Sequence, residues 1–257
     1  MNGTPLRAAE QLRSEVATLV FTPDRLAVVK GGPAARRAYF DRVLGRLSPP
    51  RAGLSGEYGA AVAQRNAALR RVSAGFSSRD ALAPWTERVA ELGAALAAAR
   101  VEAIDRLSPG FAERAEELGL PSGRLAYEGE PLTVEALEAR LDRDLERGAT
   151  GLGPHLDDVA IASGPRELRA FGSQGEQRLA VLSLLLAEAE LLAEQGPARP
   201  LVLLDDVLSE LDERRRGILA ERLRSTGQTF VTATSATSLP IAPDQLIEVS
   251  PGAAHVA

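Results

Sequence analysis

The run from Leu201 to Asp212, LVLLDDVLSELD, constrains the fold of this chain more than any other segment. Its first four residues are apolar, which predicts a buried strand of a parallel sheet, covered on both faces. Asp205 and Asp206 follow directly, so two adjacent carboxylates stand at the carboxyl end of that strand. In open α/β sheets this edge is where ligands bind. The run therefore predicts both a parallel sheet and a site at its edge.

Paired carboxylates at such an edge suit a nucleotide that carries Mg²⁺. This ion prefers hard oxygen ligands and commonly binds through one or two carboxylates together with phosphate oxygens. Asp205 is the candidate metal ligand. Asp206 is the candidate catalytic residue, because a second carboxylate can orient or deprotonate the water that attacks a γ-phosphate. An ordinary core strand that ends in a polar turn has the same local sequence, so this run alone leaves both interpretations open.

A second motif precedes the strand. The sequence FGSQGEQR, from Phe171 to Arg178, is a polar, glycine-bearing turn that opens a long apolar helix. Ser173 is a good N-cap, and Glu176 three residues later completes a capping box. The free N–H groups of a helix N-terminus can bind an anion. A capped core helix would explain this motif alone, but the turn, the helix, the Asp-Asp strand and the Ser-x-Leu-Asp that follows form a specific series.

This series resembles the signature helix, Walker B strand and D-loop of ABC-type and SMC-type ATPases, and within them the RecF family of bacterial recombination mediators. Three further stretches are similar to that family. GPHLDD spans Gly153 to Asp158, with Leu156 in place of the family's arginine. Residues 20–41 match the segment that leads into the family's helical lobe, and residues 58–66 match that lobe's first long helix. The resemblance covers nearly the whole chain, in the family's order.

The resemblance implies an α/β fold: an ABC-type ATPase head, with a partial, mostly parallel sheet and flanking helices, and an inserted helical lobe. Residues 1–32 and 148–257 are expected to form the head, and residues 33–147 the lobe. Local patterns predict helices at 6–14, 84–107, 113–118, 133–147, 177–194 and 213–225, strands at 17–21, 124–128, 159–162, 201–204, 229–233 and 246–249, and a loose tail from 251.

In this family ATP lies between two protomers, which implies ATP and Mg²⁺ as cofactors and an ATP-dependent homodimer. The signature turn and D-loop of one protomer would then contact the ATP bound by the other. On this basis the expected ATP-binding residues are Ser173, Gly175, Gln177, Ser209 and Asp212. The ABC switch position often carries histidine, whereas this chain reads Thr232-Ala233-Thr234-Ser235 there. A hydroxyl is therefore expected to bind the phosphate or a water.

A P-loop, which the family carries, is not found in these residues. It needs Gly-Lys-Ser/Thr, but the single lysine, Lys30, stands between Val29 and Gly31. Since the family places this motif near its N-terminus, we expect it upstream of the part seen here, and we expect this chain alone to be inactive as an ATPase. Three functions stay open: an ATP-gated DNA clamp of the RecF type, a non-catalytic DNA- or protein-binding remnant, and one half of a split ATPase.

The composition excludes several kinds of site and of protein. The chain has no cysteine and two histidines, which excludes a disulfide framework and Cys-based or His-rich metal sites. It shows no membrane span and no signal peptide, so a cytoplasmic protein without a membrane partner is expected.

The net charge of −5 argues against DNA binding through the overall electrostatic field of the chain, but it is compatible with a local patch of arginines that binds DNA. The family implies single-stranded, gapped or junction DNA and recombination mediator proteins as partners, in gap repair and SOS induction. Arginines gather in the first part of the expected lobe, and as a group they are the candidates for phosphate contact. The group consists of Arg36, Arg37, Arg42, Arg46, Arg65, Arg70 and Arg71.

Overall fold

The structure is a computed structural model and describes residues 17–195, 199–235, 239–240 and 242–256. The helix expected at 6–14 lies outside the described residues. The elements, in chain order, are β1 Thr18–Phe21, α1 Ala27–Lys30, α2 Pro33–Leu47, α3 Leu54–Ser73, α4 Ala83–Glu117, β2 Gly123–Glu128, α5 Val134–Glu138, α6 Leu141–Arg147, β3 Asp158–Ser163, β4 Arg166–Glu167, α7 Leu168–Phe171, α8 Gln174–Gln195, β5 Leu201–Asp205, α9 Glu213–Thr226, β6 Thr229–Thr232, β7 Ile247–Ser250 and β8 Ala253–Val256. Short 3-10 turns lie at Pro23–Leu26, Pro49–Arg51, Arg79–Leu82 and Leu208–Glu210.

A parallel sheet of three strands, in the order β1-β5-β6, carries the Asp-Asp edge. The prediction of a parallel strand at 201–204 is confirmed. Its burial on both faces is wrong, because only Val202 and Leu204 are fully buried, in one core with residues of α8 and α9. On the other face Val20, Leu203 and Phe230 lie in register, and Phe230 is 49% exposed. The described residues therefore cover one face of this sheet well and the other only in part.

Two strands expected in the parallel sheet lie elsewhere. The strand predicted at 159–162 is β3, which pairs antiparallel with β2 and β4 in a second sheet. The strand predicted at 246–249 is β7, which forms a separate antiparallel hairpin with β8. The loose tail expected from 251 is therefore wrong. Pro251 and Gly252 form the turn of this hairpin, and the φ of +80° at Gly252 is the value that a type II turn needs at its third residue.

Helix α4 runs for 35 residues, where two helices were expected. Pro109 lies inside it and deprives the helix of one backbone donor, a loss of about 3 kcal/mol or more. Leu107 and Phe111 on either side of the proline are fully buried, and the burial of two such side chains stabilises by about 1.5–3 kcal/mol each. Core packing therefore carries the helix through the proline. No helix in the described part of the chain has the length and apolarity of a membrane span.

The helix expected at 133–147 is two helices, α5 and α6, separated at Ala139 and Arg140. Its predicted N-cap is confirmed, since the Thr133 hydroxyl oxygen accepts a hydrogen bond of 3.1 Å from the N–H of Ala136.

The buried apolar residues form two cores, and α4 belongs to both. Its first half, with Val89 and Leu96, packs in the smaller core with α3 and with Leu132 and Leu137. Its second half, from Ile104, packs in the larger core with α2, α8 and the parallel sheet. The cores therefore meet along one helix within the segment 33–147.

Candidate functional site

The end of β5 lies beside the end of β6, and a single hydroxyl joins them. Asp205 pairs in register with Thr232. The Thr232 hydroxyl donates a hydrogen bond of 2.6 Å to Asp205 Oδ1 and accepts one of 3.1 Å from the backbone N–H of Asp206. A hydroxyl at this strand end was expected to bind a phosphate or a water. In the structure, the hydroxyl of Thr232 holds both aspartates. Nothing in the sequence around Thr232 indicated this pairing.

Asp206 has a left-handed backbone with φ of +48°. Non-glycine residues rarely adopt this region, and Asp and Asn tolerate it best. Hydrogen bonds hold the residue on both sides: its N–H donates to Thr232, and its carbonyl accepts from the Ser209 hydroxyl at 3.0 Å. The next two residues, Val207 and Leu208, are buried and anchor the turn in the larger core. The turn is therefore fixed at its backbone and leaves the Asp206 side chain outside.

Both aspartates are exposed, and their remaining carboxylate oxygens face solvent. Asp205 Oδ2 and both side-chain oxygens of Asp206 make no hydrogen bond or ion pair with any described residue. These are hard oxygen donors of the kind that Mg²⁺ binds, and one or two protein carboxylates are sufficient when phosphates supply the others. Within the described residues no group of three or more possible metal ligands occurs. The donor set thus fits a metal held jointly with a nucleotide.

The signature turn has the capping box that the sequence predicts. The Ser173 hydroxyl oxygen accepts from the N–H of Glu176 at 3.2 Å, and the Glu176 carboxylate accepts from the N–H of Ser173 at 2.8 Å. Arg166 donates to the same carboxylate at 2.9 Å. The hydrogen bonds from the Ser173 N–H and from Arg166 lower the pKa of Glu176. Ser173 and Gly175 are exposed, and a Cβ at Gly175 would make only an ordinary contact of 3.9 Å with Ser173 Oγ, so the turn can be reached from solvent.

Gln177 does not share this exposure. Its side chain is buried, and its amide donates to the carbonyls of Leu168 at 3.0 Å and Gly172 at 3.2 Å. These carbonyls lie in α7 and the turn just after it. In this structure the polar head of Gln177 is turned inward and ties the signature turn to α7, so its contact with ATP stays a prediction that this placement does not support.

The two D-loop residues have local roles in this structure. Asp212 is the N-cap of α9, since its carboxylate accepts from the N–H of Arg215 at 2.8 Å. It also accepts from the Arg215 side chain at 2.9 Å. The Ser209 hydroxyl donates to the carbonyl of Asp206, as described above. Both side chains are exposed and remain candidates for the contact between protomers.

Two of the arginines expected to contact DNA lie inside the fold. Arg36 forms a bidentate ion pair with Asp158, with both N···O distances 2.6 Å, and its side chain is 2% exposed. Arg65 is completely buried and donates to Asp144 and Thr150, each at 2.8 Å. In this structure neither arginine presents its charge to solvent, because Asp158 and Asp144 pair with them, and Arg65 Nη2 is buried without a hydrogen-bond partner among the described residues. Direct DNA contact by these two residues stays a prediction that their placement does not support.

Three more of the arginines that were expected to contact DNA are accessible to solvent. Arg70 and Arg71 are exposed at the end of α3, and Arg70 donates to the carbonyl of Gly148 at 3.3 Å. Arg37 is half-buried and donates to the carbonyl of Asp157 at 2.7 Å.

The segment Gly153–Asp158 forms a junction between the helices of the expected lobe and β3. The Tyr58 hydroxyl lies 2.8 Å from His155 Nδ1, and His155 Nε2 lies 3.0 Å from the carbonyl of Thr150. Because a carbonyl only accepts, Nε2 carries the proton and Nδ1 accepts from Tyr58. Burial lowers the pKa of His155, which favours this neutral form. Gly153 has a φ of +124°, and a Cβ there would lie 2.4 Å from the Tyr58 hydroxyl, so only glycine fits.

Comparison with known proteins gives a consistent result. No family model matches the chain. DNA replication and repair proteins RecF are similar over most of the chain: 35% identity in Heliobacterium modesticaldum (91% of this chain, 67% of that protein), 36% in Symbiobacterium thermophilum (94% and 68%) and 38% in Geobacter sulfurreducens (87% and 64%). The chain thus spans about two thirds of the length of these relatives.

Solved structures of the recombination mediator protein RecF, one with ATP and one with the analogue ATPrS, are also similar. Each has a TM-score of 0.82 and covers 99–100% of this chain and 71% of the solved one, at 26% and 24% identity. An Smc head domain from Pyrococcus furiosus shares the fold more distantly, with a TM-score of 0.50 at 17% identity. The fold is that of an ABC-type ATPase head, and from its sequence similarity to curated relatives the chain belongs to the RecF family of DNA replication and repair proteins.

Proposed function

We propose that this chain, completed by a P-loop that its own residues do not supply, acts as an ATP-dependent DNA-binding clamp in recombinational gap repair and dimerises around ATP with Mg²⁺. The observation that carries the proposal is the edge formed by Asp205, Asp206 and Thr232. Two exposed carboxylates are held there at the carboxyl end of a parallel strand, with free oxygens directed to solvent. This is the position and the chemistry of a Walker B site.

The residues at this edge have separate roles in the proposal. Asp205, oriented by the Thr232 hydroxyl at 2.6 Å, would hold the metal through its free oxygen. Asp206, whose carboxylate has no protein partner in the described residues, would orient the attacking water. A bound Mg²⁺ would neutralise charge that develops on the phosphate oxygens. Aspartate has a shorter side chain than the glutamate common at the second position, which favours slow hydrolysis and a timed clamp over a motor.

The signature turn would face the nucleotide bound by a second protomer. Ser173 and Gly175 lie exposed at the N-terminus of the 22-residue helix α8, where backbone N–H groups favour an anion. Gln177 would support the turn from inside. Ser209 and Asp212 would lie at the seam between protomers. The relatives known to bind ATP in solved structures support this nucleotide.

DNA is the proposed partner because the relatives are DNA replication and repair proteins. The proposed DNA is gapped, junction or single-stranded, and the proposed protein partners are recombination mediator proteins. The proposal also includes a place in the SOS response and a cytoplasmic location. Among the arginines expected to contact phosphate, Arg37, Arg70 and Arg71 remain candidates, since Arg36 and Arg65 are buried.

The test measures DNA binding by the native protein, using the fluorescence anisotropy of a labelled gapped duplex with and without ATP and Mg²⁺. Sedimentation of the same samples reports the oligomeric state. The proposal expects ATP to strengthen DNA binding and to produce a dimer, and Asp206→Asn to prolong the dimer by slowing hydrolysis. DNA binding that does not depend on ATP would favour the non-catalytic DNA- or protein-binding remnant. Binding that needs a second, P-loop-bearing chain would favour the split ATPase. Absence of DNA binding in every condition would overturn the proposal.

A further inference from the structure

Three arginines gather on one side of α2, where it faces the turn after β1. Arg42 and Arg46 are one helical turn apart on α2, so they share a face. Arg25, in the turn Pro23–Leu26, lines the same small cavity as Arg46 and lies close enough to Arg42 to repel it electrostatically. We call Arg25, Arg42 and Arg46 the α2 arginine cluster. Arg42 is exposed, and Arg25 and Arg46 are half-buried, so the cluster opens to solvent.

Among the described residues, a single carboxylate forms an ion pair with the cluster, and it is already engaged. Glu188 of α8 is buried; its Oε1 accepts from Arg46 at 2.5 Å, and its Oε2 accepts from the Tyr39 hydroxyl at 3.3 Å. The side chains of Arg25 and Arg42 make no hydrogen bond or ion pair with any described residue. Three positive charges and one negative charge leave a net +2 at this place, on a chain of net charge −5.

The α2 arginine cluster carries a surplus of positive charge that an anionic ligand would neutralise. Burial and the repulsion of Arg25 and Arg46 lower the pKa of Arg42, although guanidinium stays charged at neutral pH. The cavity bounded by Arg25, Tyr39, Arg46 and Glu188 has a volume of about 20 Å³. Such a space holds a single water, so a larger anion would bind at the outer rim, where Arg25 and Arg42 are.

Arg70 and Arg71 differ from this arrangement in one respect. They lie in the last turn of α3, where cations stabilise a helix by interacting with its dipole, and Arg70 already bonds a backbone carbonyl. Their positions are thus explained by the fold itself. Arg42 lies in the middle of α2 and has no comparable internal role among the described residues, and Arg25 lies in the last turn of a 3-10 segment of only four residues.

We propose that Arg25 and Arg42, backed by Arg46, form a contact surface for consecutive phosphate groups of a DNA backbone. This inference rests on the proposed function and names a surface for it. Arginine forks bind phosphate oxygens in a bidentate manner, and a surface of this kind sets position and affinity and does not read the base sequence. A local surplus of positive charge also explains how an acidic chain can bind a polyanion.

The experiment measures, with ATP and Mg²⁺ present, the affinity of the native protein for a fluorescein-labelled gapped DNA duplex between about 50 and 200 mM salt. In the double variant Arg25→Gln, Arg42→Gln we expect the slope of log affinity against log salt to become shallower by about 2, since two phosphate contacts are lost. The double variant Arg25→Lys, Arg42→Lys keeps both charges and should retain most of the slope. Its binding also shows that the positions tolerate substitution.

Two further double variants remove the same total charge elsewhere. Arg214→Gln, Arg224→Gln changes exposed arginines of α9 that have no side-chain partner among the described residues, and it should leave the slope unchanged. Arg70→Gln, Arg71→Gln tests the competing surface at the end of α3.

An equal loss of slope in the α9 variant would show an effect of net charge alone and overturn the assignment, as would an unchanged slope in a folded Arg25→Gln, Arg42→Gln variant. If the unaltered chain binds no DNA, the proposed function fails as well. If it binds and only Arg70→Gln, Arg71→Gln weakens it, the function stands and the α2 surface is wrong.

Discussion

The guanidinium of Arg65 lies 2.8 Å from the carboxylate of Asp144, and both side chains are excluded from water, at 0% and 1% exposure. Arg65 also donates to the hydroxyls of Thr86 and Thr150. This network joins α3, α4, α6 and the segment that leads to Gly153. A buried ion pair adds little stability compared with an apolar pair of similar size, but removal of one partner leaves an uncompensated buried charge.

Replacement of Arg65 by methionine should therefore lower the free energy of unfolding by about 3–5 kcal/mol, measured by urea denaturation. The matched control is Arg79→Gln. Arg79 pairs with Asp142 at the same distance of 2.8 Å, but the two side chains are 61% and 79% exposed. That change should cost no more than about 1 kcal/mol. Equal effects of the two variants would contradict the burial of the Arg65 pair.

The Thr232 hydroxyl should fix the conformation of the Asp205–Asp206 edge. Thr232→Val removes the donor to Asp205 and the acceptor for the Asp206 N–H, so we expect a loss of about 1 kcal/mol in stability and faster hydrogen exchange at the Asp206 amide. Thr232→Ser keeps the hydroxyl and should restore slow exchange. Exchange that is as slow in the valine variant as in the unaltered chain would show that the Asp206 amide does not depend on this hydroxyl.

The capping box at the signature turn separates stability from ligand binding. Ser173→Ala should cost about 1 kcal/mol, because the N–H of Glu176 loses its acceptor. Ser173→Asp restores a cap and should restore the melting temperature. If Ser173 also faces a nucleotide, the aspartate variant should still lose ATP-dependent dimerisation, since a carboxylate repels phosphate. A stable aspartate variant that retains ATP-dependent dimerisation would remove Ser173 from the nucleotide contact.

His155 should make stability depend on pH. Its pKa is lowered by burial below the ordinary value of 6.5, so the folded chain binds this proton less readily than the unfolded chain. The associated stability is present above about pH 6.5 and is lost as the pH falls through the lower, folded pKa. A protonated ring also cannot accept the hydrogen bond from Tyr58.

The chain contains one internal control for this effect. His255 is exposed in β8, so His255→Gln should leave the acid-induced decrease in melting temperature unchanged, while His155→Gln should flatten it between pH 7 and pH 5. Titration of the His155 imidazole by NMR measures its pKa directly. A pKa of His155 at or above its ordinary value of 6.5 would contradict the burial of the neutral ring.

Local patterns predicted the elements that depend on neighbouring residues. The apolar run before Asp205 gave a parallel strand, and the spacing of Ser173 and Glu176 gave a capping box with both hydrogen bonds in place. Such features arise within a few residues, where propensity and periodicity act. The assignment of Asp205, Asp206 and Ser173 to a nucleotide site stays a prediction.

Features that depend on distant partners were missed. Arg36 and Arg65 looked like surface cations on helices, but their carboxylate partners lie 122 and 79 positions further along the chain. Two helices were expected at 84–107 and 113–118, but the burial of Leu107 and Phe111 carries one helix through Pro109. Thr232 is one of several hydroxyls at its strand end, and only the register with β5 selects it. In each case tertiary packing decided the outcome.

Helix α4 gives the molecule a long lever arm. Its 35 residues span about 50 Å, and it packs at one end against α8, which begins at the signature turn, and at the other against α3. A tilt of about 5° about the end held by α8 would displace the far end by about 4 Å, given that length. Because the helix is continuous along its length, a small adjustment of α8 where it contacts α4 would displace the end of α4 that packs against α3 by several ångströms.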